Sequence, residues 1–106
     1  MDVARDQVRC AASAPEVISF LASGAGLPYR VKRVAGSPDT LLFSTGASAF
    51  SWGEKVEVTV VAQGNESRIL MRGARAWSPN ITSNPRVPVE RILSALAAKF
   101  GPLTQA

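Results

Sequence analysis

Four residues in the middle of the chain have types and a spacing that suit a ligand-binding site. Trp52 and Glu54 stand just before a run of alternating valines, and Arg75 and Trp77 end the next alternating run. Indole rings form large apolar walls with one N–H donor, and a guanidinium is a handle for an anionic group. If the chain brings them together, these residues would hold a small ligand or a segment of a partner protein.

A tight turn between the two runs predicts that they do meet. Gly64-Asn65 is the signal of a two-residue hairpin. Counting outwards from it gives an aromatic pair, two pairs of opposite charge and several apolar pairs: Gln63 with Glu66, Val60 with Ile69, Val58 with Met71, Glu57 with Arg72, Val56 with Gly73, Glu54 with Arg75, and Trp52 with Trp77. Cross-strand pairs of these kinds add roughly 0.2–1 kcal/mol each, so they support the register.

The two tryptophans have two interpretations. They form an aromatic cap that closes the open end of the core, or they form the mouth of a pocket in which Arg75 is the polar group. In either case the register predicts that the charged groups of Glu54 and Arg75 lie within about 4 Å of each other or share a water. The guanidinium would then rest across the indole rings.

Basic residues alternate with the apolar positions and therefore share the other face of the predicted sheet. Glu57 is the main acid of this face and is expected to neutralise Arg72, and the basic residues are Arg9, Arg30, Lys32, Lys55, Arg68 and Arg72. One interpretation is a platform for phosphates, in which the anion-binding residues are Arg9, Lys55, Arg68 and Arg72. The other is a solvated sheet face, where charge also deters aggregation. No aromatic residue alternates with these charges, although single-strand binders use aromatic platforms for stacking.

The composition excludes most catalytic chemistry. There is no histidine, so a His-based triad and an imidazole metal ligand are impossible. Cys10 is the only cysteine, so no disulfide forms within one chain, and its alternation with Val8 and Ala12 predicts an inert core residue. We therefore expect a protein that is not an enzyme and that uses no metal and no cofactor.

Length and charge set the remaining limits. The 106 residues suffice for a single domain, 1–106, and the net charge of +4 suits an anionic partner without requiring one. A single cysteine and an N-terminus without the order of a signal peptide predict a cytoplasmic protein, unless a leader has been removed. We expect no membrane span, and nucleic acid is a less favoured partner. The sequence leaves the oligomeric state open.

The predicted element order is strand, helix, four strands, helix. A strand at 7–12 precedes a helix that starts with a capping box between Ser13 and Glu16 and ends at Gly24. Strands follow at about 29–35, 41–43, 55–62 and 67–77, with a turn at 36–39 and a loop at 78–87, and a last helix spans 88–99. Each helix has one apolar stripe. We therefore expect an α+β domain in which both helices pack on one face of a five-stranded antiparallel sheet.

Both ends of the chain resemble a known family. The opening Val8-Arg9-Cys10-Ala11-Ala12-Ser13-Ala14-Pro15-Glu16-Val17 is similar to the first strand and first helix of START-like helix-grip proteins, and the helix from Val89 to Phe100 is similar to their C-terminal helix. With four strands between the helices, the chain resembles a truncated form of that fold. The element order also resembles the TATA-box-binding-protein-like fold. The segment Phe50-Ser51-Trp52-Gly53-Glu54, together with the last helix, is similar to a group of small uncharacterised bacterial domains, which implies no activity.

The sequence supports two functional hypotheses. The leading one is a bacterial, non-enzymatic binding module that uses Trp52, Glu54, Arg75 and Trp77 for a small ligand or a protein segment. The alternative is a nucleic-acid or anionic-surface binder that uses the basic face, with an affinity that falls steeply as salt rises.

Overall fold

The structure is a computed structural model that describes residues 3–45, 53–75 and 85–105. Its elements are β1 (Val3–Cys10), α1 (Ala14–Ala22), β2 (Arg30–Val34), β3 (Ser37–Ser44), β4 (Glu54–Gln63), β5 (Glu66–Arg75), α2 (Arg86–Phe100) and β6 (Thr104–Gln105). The strands form one antiparallel sheet in the order β2-β3-β4-β5-β1-β6, which confirms the α+β class. The prediction of five strands is wrong, because the chain after α2 returns and pairs β6 with β1.

The pairing of β1 with β5 joins the start of the chain to the end of the hairpin. The residues from Val3 to Cys10 face those from Ala74 to Ser67 without a shift in register. The strand predicted at 7–12 begins too late, because the charged Arg5 and Asp6 interrupt the apolar alternation at its start. β1 lies beside β5 while β2 lies at the far edge of the sheet, so α1 crosses the sheet between them.

Both helices pack on one face of the sheet, and a single core lies between the two layers. The helical side chains in this core are Ala14, Val17, Leu21, Pro88, Val89, Ile92 and Leu96. Those of the sheet are Val8, Cys10, Leu41, Phe43, Val56, Val58, Val60, Ile69 and Met71. These sheet residues occupy alternate positions of their strands, so the side chains between them point away from the helices. Cys10 is 1% exposed, which confirms that it is a core residue.

The β4–β5 hairpin has the register that the sequence predicts. The turn is Gly64-Asn65, and Gly64 has the positive φ of +63° that such a turn requires. The confirmed pairs are Gln63–Glu66, Val60–Ile69, Val58–Met71, Glu57–Arg72, Val56–Gly73 and Glu54–Arg75. The next predicted pair, Trp52 with Trp77, lies outside the described residues.

The turn predicted at 36–39 is shorter in the structure. Gly36, with a φ of +77°, reverses the chain together with Ala35, so that β3 already begins at Ser37. Pro38 is tolerated in this strand because the pairing of β3 with β4 begins only at Thr40. The prediction was wrong because Ser, Pro and Asp usually mark turns.

The helix ends also differ from the prediction. The capping box is wrong, since Ser13 precedes α1 but makes no side-chain hydrogen bond to it. α2 begins at Arg86 rather than at Pro88, because a proline fits within the first turn of a helix. The predicted loop at 78–87 is described only from Pro85 onward. Neither helix in the described ranges is long and apolar enough to span a membrane.

Gly73 allows α2 to lie close to β5. A Cβ built on this glycine would lie 2.8 Å from Cγ2 of Val89 and 2.9 Å from the carbonyl oxygen of Pro85. The backbones of α2 and β5 therefore lie so close together that a side chain on residue 73 would not fit without a shift of its neighbours.

We predict that Gly73→Ala lowers the free energy of unfolding by about 1–3 kcal/mol, because the added methyl group overpacks the contact between α2 and β5. Urea unfolding followed by circular dichroism measures the change. Val89→Ala removes one of the opposing atoms, so the double variant should lose less than the sum of the two single losses. An unchanged midpoint in Gly73→Ala would contradict this packing.

Candidate anion-binding site

The sheet face turned away from the helices, hereafter the open face, collects the basic side chains. Strand pairing places on it Arg5, Gln7 and Arg9 of β1, Arg30 and Lys32 of β2, Thr40, Leu42 and Ser44 of β3, Lys55, Glu57, Thr59 and Val61 of β4, and Arg68, Leu70 and Arg72 of β5. The six basic residues predicted for one face therefore do share it. The structure adds a seventh, Arg5, because β1 starts earlier than predicted.

Four arginines form two like-charged pairs where β1 meets β5. Arg5 faces Arg72 and Arg9 faces Arg68, in direct cross-strand register. We call these four residues the arginine quartet. Facing residues in an antiparallel pair have Cβ atoms about 4.5–5.5 Å apart, and like charges at that separation are destabilising. Arg5 and Arg9 are about 13 Å apart along β1, so the quartet occupies the corners of a narrow rectangle.

No described carboxylate lies within 4 Å of a charged group of the basic residues on the open face. The ion pairs seen among the described residues join Arg86 to Asp6 and to Glu90, both on the helix side of the molecule. Glu57 faces Arg72 across the strands, yet their charged groups do not come within 4 Å. The expectation that Glu57 neutralises Arg72 through an ion pair is therefore wrong. A short carboxylate and a long guanidinium chain can face each other in register while their ends diverge.

Arg68 has an unsatisfied donor. Its Nε–H group is covered by the protein and has no acceptor among the described residues. A buried donor without an acceptor costs about 1–3 kcal/mol, so the guanidinium gains free energy if it turns toward an anionic acceptor.

A second basic group, the basic trio, consists of Arg30 and Lys32 on the edge strand β2 and of Lys55 on β4, the strand next to β5. Lys55 faces Ser44, which in turn faces Arg30, and Lys32 faces Leu42 on the next row. Arg5 and Lys32 are on the same row, four strand spacings or about 19 Å apart. The open face thus has cations on β1 and β5 and on β2, and the open-face positions of β3 and β4 between them, hereafter the central strip, are neutral except for Lys55 and Glu57.

Two shallow depressions lie on the open face, one beside Arg5 and Arg72 of the quartet and one beside the basic trio. One has a volume of about 710 Å³, and its wall includes Arg5, Glu57, Thr59, Leu70 and Arg72. The other has a volume of about 700 Å³ and is lined by Arg30, Val31, Lys32, Leu42, Ser44, Thr45 and Lys55. Their linings mix guanidinium or ammonium groups with hydroxyls and a leucine, a combination that suits a phosphate-bearing chain with an apolar part.

The predicted tryptophan site is described only in part. Glu54 and Arg75 face each other in the backbone register, whereas Trp52, Trp77 and the side chain of Arg75 lie outside the described residues. The Thr45 hydroxyl accepts a 2.7 Å hydrogen bond from the Glu54 N–H group, and the Thr45 N–H donates to the Glu54 carbonyl at 3.0 Å. These two hydrogen bonds therefore hold Thr45, which precedes residues 46–52, beside Glu54, which follows them.

The fold is shared with a solved structure of distant sequence. A solution NMR structure of a protein from Thermobifida fusca aligns with 92% of this chain and 87% of its own, with a TM-score of 0.55 and 16% sequence identity. At this identity the likeness shows the fold alone. No protein-family model matches the sequence, and neither does a curated protein.

The like-charged pairs predict a gain in stability when one arginine is removed. We expect Arg9→Gln to raise the free energy of unfolding by roughly 0.2–1 kcal/mol at low salt, because it relieves the repulsion by Arg68. The gain should shrink as added salt screens the pair. Thermal unfolding at two ionic strengths measures it, with Arg33→Gln on exposed β2 as a control. A loss of stability in Arg9→Gln would show that the pair is not repulsive.

Proposed function

We propose that this protein is a non-enzymatic module that binds nucleic acid through the open face of its sheet. Phosphate groups would contact the arginine quartet on one side and the basic trio on the other. Arginine suits this role because its planar guanidinium donates two parallel hydrogen bonds to a phosphate.

The observation that carries the proposal is the facing of Arg5 with Arg72 and of Arg9 with Arg68 in the register of β1 and β5. A sheet face that only needed to stay soluble would not require like charges in direct register, because alternating signs serve as well and do not repel. An anionic partner removes the repulsion and supplies the acceptor that Arg68 lacks.

The shape of the open face favours a chain over a flat surface. Arg5 and Arg72 line one depression and the basic trio lines the other, so a flat bilayer would meet the rims of the depressions before their interior. A nucleic acid strand is narrow enough to enter and presents a phosphate at regular intervals. Neutral residues of the central strip, including Leu42 and Thr59, can contact sugars and bases.

The same residues support a binding role rather than a catalytic one. The chain lacks histidine, and its single thiol, that of Cys10, is buried in the core. The arginines and lysines of the open face are hydrogen-bond donors that suit ionic contact with an anion.

We predict that the double variant Arg5→Glu/Arg72→Glu weakens binding to a fluorescently labelled DNA oligonucleotide at least about tenfold, since charge-assisted hydrogen bonds contribute about 1.5–3 kcal/mol each. Fluorescence anisotropy at several salt concentrations measures the dissociation constant and its salt dependence. Wild-type affinity should fall steeply with salt, and the variant should show a shallower slope.

The matched control is Arg33→Glu/Lys99→Glu, which changes the net charge equally but at exposed positions off the open face. It should weaken binding only about twofold to threefold, through long-range attraction alone. Equal losses in the two double variants would refute the open face as the site. Binding to phosphatidylserine vesicles, with none to the oligonucleotide, would replace nucleic acid by an anionic surface.

A second candidate function uses the tryptophan end for a small ligand or protein segment. The observation that favours it is the in-register facing of Glu54 and Arg75 as the last described pair of the hairpin. The sequence predicts that Trp52 faces Trp77 two positions further along, so the proposed site is Trp52, Glu54, Arg75 and Trp77.

We predict that Trp52→Ala abolishes saturable binding of the dye anilinonaphthalene sulfonate, whose rings suit indole walls and whose sulfonate suits Arg75. Dye fluorescence on titration measures the affinity. Leu70→Ala, an exposed apolar residue of the open face, is the control and should bind as the wild type does. A Trp52→Ala variant that folds and binds the dye unchanged removes this candidate.

Three further expectations stay predictions. A bacterial origin, a cytoplasmic location and the kinship to truncated START-like or TATA-box-binding-protein-like folds rest on the sequence features given for them.

A further inference from the structure

Glu57 is a carboxylate in the middle of the basic open face. It stands on the row that crosses the sheet in the order Arg5, Arg72, Glu57, Leu42, Lys32. One other described carboxylate, Glu66, also has an open-face position in the strand pairing. It lies next to the hairpin turn. Glu57 is exposed and forms part of the wall of the 710 Å³ depression.

Local structure does not account for Glu57. Its carboxylate makes no ion pair within 4 Å and no side-chain hydrogen bond among the described residues, although it faces Arg72 in register. On its other side it faces Leu42, which offers no charge, and Lys55, the next open-face residue of β4 about 7 Å along the strand, makes no ion pair with it within 4 Å. Toward a plain polyanion such a carboxylate is repulsive, so it weakens the contact that the surrounding arginines favour.

The open face offers a base little to stack on. No aromatic residue occupies an open-face position in the described strands. Discrimination among bases on this face therefore depends on hydrogen bonds. A carboxylate accepts from an amino group such as cytosine N4, which thymine lacks, since thymine presents the O4 acceptor and a methyl group.

We propose that Glu57 is a specificity-determining residue that selects single-stranded nucleic acid bearing exocyclic amino groups. This inference rests on the proposed function: the arginine quartet and the basic trio hold the phosphates, and the bases turn toward the central strip. Glu57 accepts a hydrogen bond from a base amino group there, and it disfavours polyanions that present only negative charge at the same place.

Oligo-dC and oligo-dT of equal length test the proposal, because they carry the same phosphates, and cytosine presents an amino group where thymine presents the O4 acceptor beside a methyl group. We expect the wild-type protein to bind oligo-dC about tenfold tighter by fluorescence anisotropy at mildly alkaline pH, the effect of one charge-assisted hydrogen bond. Glu57→Met keeps the side-chain length and removes the acceptor. It should bind the two oligonucleotides equally, with a higher affinity for oligo-dT than the wild type has.

The matched control is Glu66→Met, which removes the same charge near the turn and should keep the preference for oligo-dC. Thermal unfolding checks that both variants fold, as substitution of exposed residues allows. Equal binding of oligo-dC and oligo-dT by the wild type, or a preference that survives in Glu57→Met, overturns this inference and leaves the proposed function intact. Salt-dependent binding to neither oligonucleotide refutes the proposed function itself, and the inference with it.

Discussion

The antiparallel pairing of β1 with β5 is the contact on which the rest of the molecule depends. It joins residues about sixty positions apart in the chain, so its closure has to be stabilised by what the pairing buries. Val8 and Ile69 face each other and are both buried beneath the helices, and such side chains contribute roughly 1.5–3 kcal/mol each. Because β2 is at the opposite edge, α1 must cross the sheet, and one face is left uncovered.

The same pairing creates the candidate site, and magnitudes explain why the fold tolerates it. Each facing pair of arginines costs at most about 1 kcal/mol, less than one buried valine contributes. Successive residues of a strand point to opposite faces, so burial and charge repulsion act on different sides of β1. Asp6 points to the helix side, while Arg5 points to the open face. Arg86 at the start of α2 donates to the Asp6 carboxylate at 3.1 Å and to the Arg5 carbonyl at 3.3 Å, which fixes the helix against the strand beside the quartet.

How far the sequence predicts the structure depends on the range of the interaction. The hairpin register followed from Gly64-Asn65, because a two-residue turn fixes every pair beyond it. The pairing of β1 with β5 has no such local signal, so Arg5 was missed and the facing of Arg9 with Arg68 was not foreseen. β6 was missed because two residues carry no periodicity. The alternation of residues along the strands was enough to predict that the basic residues share a face. That Glu57 and Arg72 form no ion pair could be seen only from the positions of their side chains.

The arginine quartet links stability to binding, because the repulsion that lowers the stability of the free protein would favour the binding of an anion. Repulsion between facing guanidiniums, and the covered Nε–H of Arg68, are costs that the free protein bears and that a bound anion removes. A ligand that relieves native-state strain binds more tightly than its contacts alone would give, and it stabilises the fold by the same free energy. In the proposed function, Glu57 would reduce this gain in binding free energy for anions without hydrogen-bond donors. Its negative charge repels them unless a donor such as a base amino group contacts the carboxylate. In the proposed function, the open face would combine a general attraction by the arginine quartet and the basic trio with a selective requirement at Glu57, which shares one row of the sheet with Arg5, Arg72 and Lys32.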